Sequence, residues 1–133
     1  MDKAAAYLVV GAGSALGGMG RFWLSGLVAR SVGETFPWGT LLVNVSGSFV
    51  IGFLAAMVGP DSRLNPKLNP FIFQFFMAGV CGGYTTFSSF SLQTLRLVQA
   101  GQWMHGAANA ALSLFLCLLA VWLGQAAGQL LNR

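Results

Sequence analysis

Carboxylates are nearly absent from this chain. Asp2, Glu34 and Asp61 are the only acids in 133 residues, and none lies within a long apolar run. A proton-coupled exporter normally needs a titratable group inside the membrane, so the scarcity argues against one. Charge of either sign is thin: 8% of residues are charged and 56% are hydrophobic. A soluble domain carries roughly 25% charged residues, so this chain has too few to cover a water-facing surface. Its single histidine, His105, stands at the start of the last apolar run and reads as a surface residue. No Ser–His–acid set, metal-ligand cluster or phosphate loop can be assembled, which excludes the common forms of enzymatic chemistry. Cys81 and Cys117, the only cysteines, both fall in apolar runs. They read as small packing residues rather than a disulfide or metal pair.

What is present is apolar length. A spanning helix needs about 20 mostly apolar residues. Four such runs cover about residues 4–28, 38–58, 70–95 and 104–127. The predicted fold is an all-α membrane protein of four transmembrane helices, one domain over residues 1–133. The first run continues through glycines past Arg21 without a clear cleavage site, so it reads as a retained helix. Gly59-Pro60-Asp61-Ser62-Arg63-Leu64-Asn65-Pro66-Lys67 is a turn-rich loop. Small residues are spaced for close helix approach: Gly13 and Gly17, Ser48 and Gly52, and the alanines 107, 108, 110 and 111. Gly11-Ala12-Gly13-Ser14-Ala15-Leu16-Gly17 has the wrong spacing for a dinucleotide loop and no strand before it.

The net charge of +4 is scattered, with no basic stripe for nucleic acid. Lys3, Arg63, Lys67 and Arg133 fall on one side of the predicted membrane, Arg30 and Arg96 on the other, with Arg21 leaning towards the second. So small an imbalance is a weak orientation signal. It allows insertion both ways up and an antiparallel homodimer, or one fixed topology with an undersized signal.

Polar residues inside the spans carry the functional signal. Thr40, Asn44 and Ser48 are spaced by four and share a helical face. They offer amide and hydroxyl donors, as a pore wall or as glue between helices. Gly79-Val80-Cys81-Gly82-Gly83-Tyr84-Thr85-Thr86-Phe87-Ser88-Ser89-Phe90 places paired glycines, threonines and serines in the middle of the third span. A helix broken there must satisfy its freed backbone groups within the protein. Phe87 and Phe90 share a face, and the positive edge of an aromatic ring can meet an anion. Ser113, with Asn109 one turn earlier, can face the same path. Arg21 snorkels to the interface or draws anions to an entrance. Donors, ring edges and missing carboxylates together suit a small anion that accepts hydrogen bonds strongly, selected by replacing its hydration shell in a narrow space.

The third-span segment Gly82-Gly83-Tyr84-Thr85-Thr86-Phe87-Ser88-Ser89-Phe90 closely resembles the signature of the Fluc (CrcB) family of bacterial fluoride channels. Gly39-Thr40-Leu41-Leu42-Val43-Asn44-Val45-Ser46-Gly47-Ser48-Phe49 is similar to its second-helix motif, and Gly17-Gly18-Met19-Gly20-Arg21-Phe22 to its first. The resemblance implies a passive fluoride-export channel in the bacterial inner membrane, an antiparallel dual-topology homodimer with two pores and a third helix broken mid-span. It implies Asn44 as a pore donor, Phe87 and Phe90 lining the path, and Thr40, Ser89 and Ser113 extending a polar track. It also implies a structural sodium ion at the dimer interface, held by the backbone carbonyls of Gly82 and Thr85. Arg21 would stand in a vestibule. Ser89 replaces a threonine found in many members, and Gln93 replaces a frequent acid. The competing readings are a small multidrug-resistance-type exporter, which needs the missing intramembrane carboxylate, and a membrane scaffold whose polar residues only bind helices together.

Overall fold

The computed structural model describes residues 1–59, 62 and 70–133. Arg63 and Lys67, half of one side's orientation charges, lie outside the described residues, as does most of the 59–67 loop. Among the described residues every regular element is helical. Helix α1 covers Lys3–Val32 and α2 covers Trp38–Met57. Helix α3 covers residues 70–84, in three parts: Pro70–Ile72, the wider π-helical stretch Phe73–Cys81, and Gly82–Tyr84. Helix α4 is Phe87–Gln99 and α5 is Trp103–Leu131. Because α3 and α4 are one interrupted rod, the described residues form four helical rods, close to the expected boundaries.

The helix ends follow local chemistry. Asp2 caps α1 by accepting the Ala5 N–H at 2.7 Å. Gly33 ends α1 at φ 82°, and Gly101 turns the chain from α4 into α5 at φ 79°. Both conformations favour glycine. Helix α2 is mostly apolar, and among the described residues it and α5 are the two helices long and apolar enough to cross a membrane.

Small residues set the packing. The most extensive contacts join α2 to α5 and α1 to α3. At α1–α3, a methyl added to Gly13 would meet the Phe75 carbonyl, and one on Gly17 the Val80 carbonyl. At α2–α5, Gly52 lies against the Val121 carbonyl and Gly124 against the Phe49 carbonyl. The alanines 107, 108, 110 and 111 are exposed or half-buried. The buried stripe of α5 is instead Gly106, Asn109, Ser113, Ala120, Gly124 and Gly128. An alanine methyl holds the backbones farther apart than a glycine hydrogen, so the glycines take the contact face.

The interior is small while the outside is apolar. Val43 is fully buried, yet Phe22 is 83% exposed, Met104 82%, Tyr7 79% and Trp122 62%. Apolar surface so abundant needs an apolar surrounding or another protein surface.

The third-span break falls within the expected run 79–90, at its threonines. Gly82 is helical, at φ −63° and ψ −38°. Gly83 gives up its side chain for proximity, since a methyl there would meet the Ser14 backbone. The interruption falls at Thr85 and Thr86, both extended. Threonine's branched carbon tolerates extended backbone well.

Overpacking one such contact costs about 1–3 kcal/mol. Gly17→Ala is expected to lower the thermal unfolding midpoint of the purified protein, whereas Gly11→Ala, where nothing lies within 4 Å, leaves it unchanged or slightly raised. Equal midpoints for the two variants would contradict the α1–α3 contact.

Candidate functional site

The interruption between α3 and α4 frees backbone groups, and side chains from other helices meet them. Asn44 of α2 donates Nδ2–H to the Thr86 carbonyl at 3.0 Å and accepts the Thr86 N–H through Oδ1 at 2.7 Å. Its amide thereby acts as a short piece of neighbouring strand. Thr86 in turn caps α4, its Oγ1 accepting the Ser89 N–H at 3.2 Å. Arg21 of α1 donates Nε–H to the Gly83 carbonyl at 3.3 Å. Thr85 Oγ1 donates to the Cys81 carbonyl at 2.9 Å. Tyr84 reaches the Ser46 hydroxyl, 2.8 Å away.

Two cavities flank this interruption. The narrower, a groove of about 380 Å³, is lined by Asn44, Ser48, Gly82, Thr85, Phe87, Phe90, Ser113 and Cys117. The wider, a mouth of about 840 Å³, is lined by Arg21, Thr40, Ser89 and Gln93 together with Arg30 and Arg96. Thr86 lines both. The candidate residues therefore divide in two. Asn44, Phe87, Phe90 and Ser113 share the groove with Gly82 and Thr85, while Thr40, Ser89 and Arg21 face the mouth.

The donors differ in how far they are committed. Asn44 has two amide protons; one is given to Thr86, which leaves one for the groove. Thr40 and Ser89 hydroxyls make no hydrogen bond among the described residues, so both can serve the mouth. Ser48 donates to the Asn44 carbonyl at 2.7 Å, so the third member of the expected donor row is spent within its own helix. Ser113 is buried and lies 3.5 Å from Asn109 Oδ1. Asn109 itself, 2% exposed, donates to Thr94 Oγ1 at 2.9 Å and ties α5 to α4. The Phe87 and Phe90 rings sit 5.4 Å apart, tilted by 50°, and Phe87 is 79% exposed. His105 is exposed, its ring 6.3 Å from that of Phe36. Both cysteines are free thiols.

Sequence reasoning missed three participants. Thr86 is the backbone partner of Asn44 and the cap of α4; its place directly before Phe87-Ser88-Ser89 was the available signal. Ser46, off the four-residue face of α2, serves Tyr84. Thr94 joins Asn109 to the Phe90 carbonyl, to which it donates at 2.8 Å.

A family profile described as "CrcB-like protein, Camphor Resistance (CrcB)" matches residues 8–125. The chain belongs to the CrcB-like family. It is 57% identical over 131 residues to a protein of Rhodospirillum rubrum named fluoride-specific ion channel FluC, covering 96% of this chain and 97% of that one. A protein of the same name from Opitutus terrae is 56% identical over 126 residues, covering 95% and 94%. One from Methylocella silvestris is 50% identical over 127 residues, covering 96% and 95%. The CrcB-like profile reaches into all four helical rods and includes the residues lining both cavities.

Removing the Asn44 amide would strand the Thr86 N–H and C=O. Each unsatisfied buried polar group costs about 1–3 kcal/mol. Asn44→Leu is expected to destabilise the protein by about 2–4 kcal/mol and to accelerate amide exchange at Thr86, read by hydrogen–deuterium exchange. Unchanged exchange at Thr86 would contradict the pairing.

Proposed function

We propose that this CrcB-like protein is a fluoride-selective passive channel that lets the ion leave the cytoplasm. The carrying observation is the remaining Asn44 proton, presented in a groove beside the Phe87 and Phe90 rings with no carboxylate among its lining residues. Fluoride is small and strongly hydrated, so it must be given donors in place of water. The Asn44 amide supplies a fixed one, and tilted ring edges supply positive potential without a full charge that would trap the ion. The mouth precedes the groove: Thr40 and Ser89 hydroxyls and the Arg21 charge draw the anion towards Thr86. The names of the relatives, at 50–57% identity over nearly the whole chain, support the same reading.

The protein works as a multi-pass protein of the bacterial inner membrane, and its exposed apolar surface suits that surrounding. Assembly is an antiparallel dual-topology homodimer with two pores. In support, the groove has an exposed wall at Phe87 that a second copy would close. A sodium ion at the dimer interface fits the residues at hand. Among the described residues no side chain donates to the Gly82 or Thr85 carbonyl, while the carbonyls of Cys81, Gly83 and Thr86 each receive one. The ion would supply positive charge to those oxygens; the chain's own part is to hold them free of side-chain donors.

Fluoride efflux from proteoliposomes is expected to be rapid, with chloride efflux at the protein-free background; equal rates would reject selectivity. Uptake of a cationic dye driven by a proton gradient would instead favour the exporter reading. Asn44→Asp turns a donor into an acceptor, and a hydrogen bond to a charged group is worth about 1.5–3 kcal/mol, so fluoride flux should fall about tenfold or more. Phe87→Ile and Phe90→Ile should each reduce flux while leaving the size-exclusion profile of the assembly unchanged. Normal flux in both would remove the rings from the path.

A further inference from the structure

The mouth is far larger than the ion proposed to cross it. A water molecule, comparable to fluoride, takes up about 30 Å³ of liquid, against about 840 Å³ here. Three arginines line this space: Arg21 in the body of α1, Arg30 in its last turn, and Arg96 in the last turn of α4. Glu34 is the single carboxylate among the lining residues. Among the described residues Arg21 spends only Nε, on Gly83, and Arg30 and Arg96 make no ion pair or hydrogen bond.

Neutral donors face the same space. Gln93 encloses its Oε1 without a hydrogen-bond partner, which turns the amide's donor end to the mouth. The Thr40 and Ser89 hydroxyls are uncommitted. The C-termini of α1 and α4 each offset about half a charge, so part of the Arg30 and Arg96 charge is absorbed there. The balance stays positive and rich in N–H donors.

We propose that the mouth binds an oxyanion of the phosphate class, held by these guanidinium groups. Guanidinium presents paired N–H groups that match two oxygens of one phosphate group; a monatomic halide offers no second acceptor atom to engage. Trp23 and Trp38 line the same mouth. Tryptophan favours the headgroup level of a bilayer, so the phosphate group can arrive on an anionic lipid or free in solution. Sitting before Thr86, such an anion obstructs fluoride on its way to the groove; this consequence rests on the channel reading, whereas the binding itself does not.

Two readouts separate the claims. The first is calorimetric titration of inorganic phosphate into the full-length protein in an uncharged detergent, with sodium chloride at matched ionic strength as reference. The second is fluoride efflux from phosphatidylcholine vesicles with and without millimolar phosphate. Saturable phosphate binding is expected, with the chloride reference giving none. The paired substitution Arg30→Gln with Arg96→Gln should weaken it well over tenfold, since each charge-assisted hydrogen bond is worth about tenfold. Arg96→Gln alone, at an exposed residue, should give a smaller shift of the same sign and guards against misfolding of the double variant. Phosphate should slow efflux, and the slowing should diminish in the same variants. If vesicles containing phosphatidylglycerol are already slow and free phosphate adds nothing, the lipid is the source; an equal response in both vesicles assigns free phosphate. Titration heats that sodium chloride reproduces, or that neither substitution alters, would overturn the proposal. Absence of fluoride efflux in every preparation, with phosphate binding intact, would fail the channel reading alone.

Discussion

The architecture turns on one reciprocal contact, the Asn44 amide against the Thr86 backbone. A rod interrupted in an apolar setting exposes N–H and C=O groups that neither lipid nor apolar side chains can satisfy. Asn44 answers both groups of one residue at once, and thereby fixes where α4 begins. That start places Phe87 and Phe90 beside the groove, and places Thr86 in the lining of both cavities. A residue used purely as an anion ligand could move along α2 by one turn with modest consequence. One that also completes the backbone of another helix cannot.

The glycines serve this contact indirectly. Gly13 and Gly17 let α1 lie against the α3 backbone, which brings Arg21 within reach of the Gly83 carbonyl. Gly52 and Gly124 draw α5 onto α2, which sets Ser113 across the groove from Asn44's helix. Close approach between backbones therefore stands in for the large side-chain core that this chain lacks. The same economy leaves the long apolar side chains outside.

Much of this was legible in residue order. Apolar run length placed all four rods within a few residues of their ends, because helix length and bilayer thickness constrain each other. Asn44, Phe87, Phe90 and Ser113 were recognisable as companions, and they share one groove. Less visible was how each polar group is employed. Thr40, Asn44 and Ser48 look equivalent on a helical face, yet Thr40 opens to the mouth, Asn44 holds Thr86, and Ser48 bonds back to its own helix. Which hydroxyl turns inward depends on neighbours distant in sequence. Within the run 79–90, the exact residues of the break were not legible for a related reason. Glycine signals flexibility and close approach alike, and here the Ser14 backbone decides for close approach. The π-helical widening over Phe73–Cys81 had no counterpart in the apolar pattern.

The central claim is that the Asn44 side chain holds the break with one amide proton and meets fluoride with the other. Nuclear magnetic resonance of the protein carrying ¹⁵N-labelled asparagine resolves these two protons separately. Titrating fluoride should move the resonance of the free proton and leave the Thr86-bonded one nearly still, while chloride at equal ionic strength moves neither. Two protons that ignore fluoride, or that shift equally with chloride, would contradict the account.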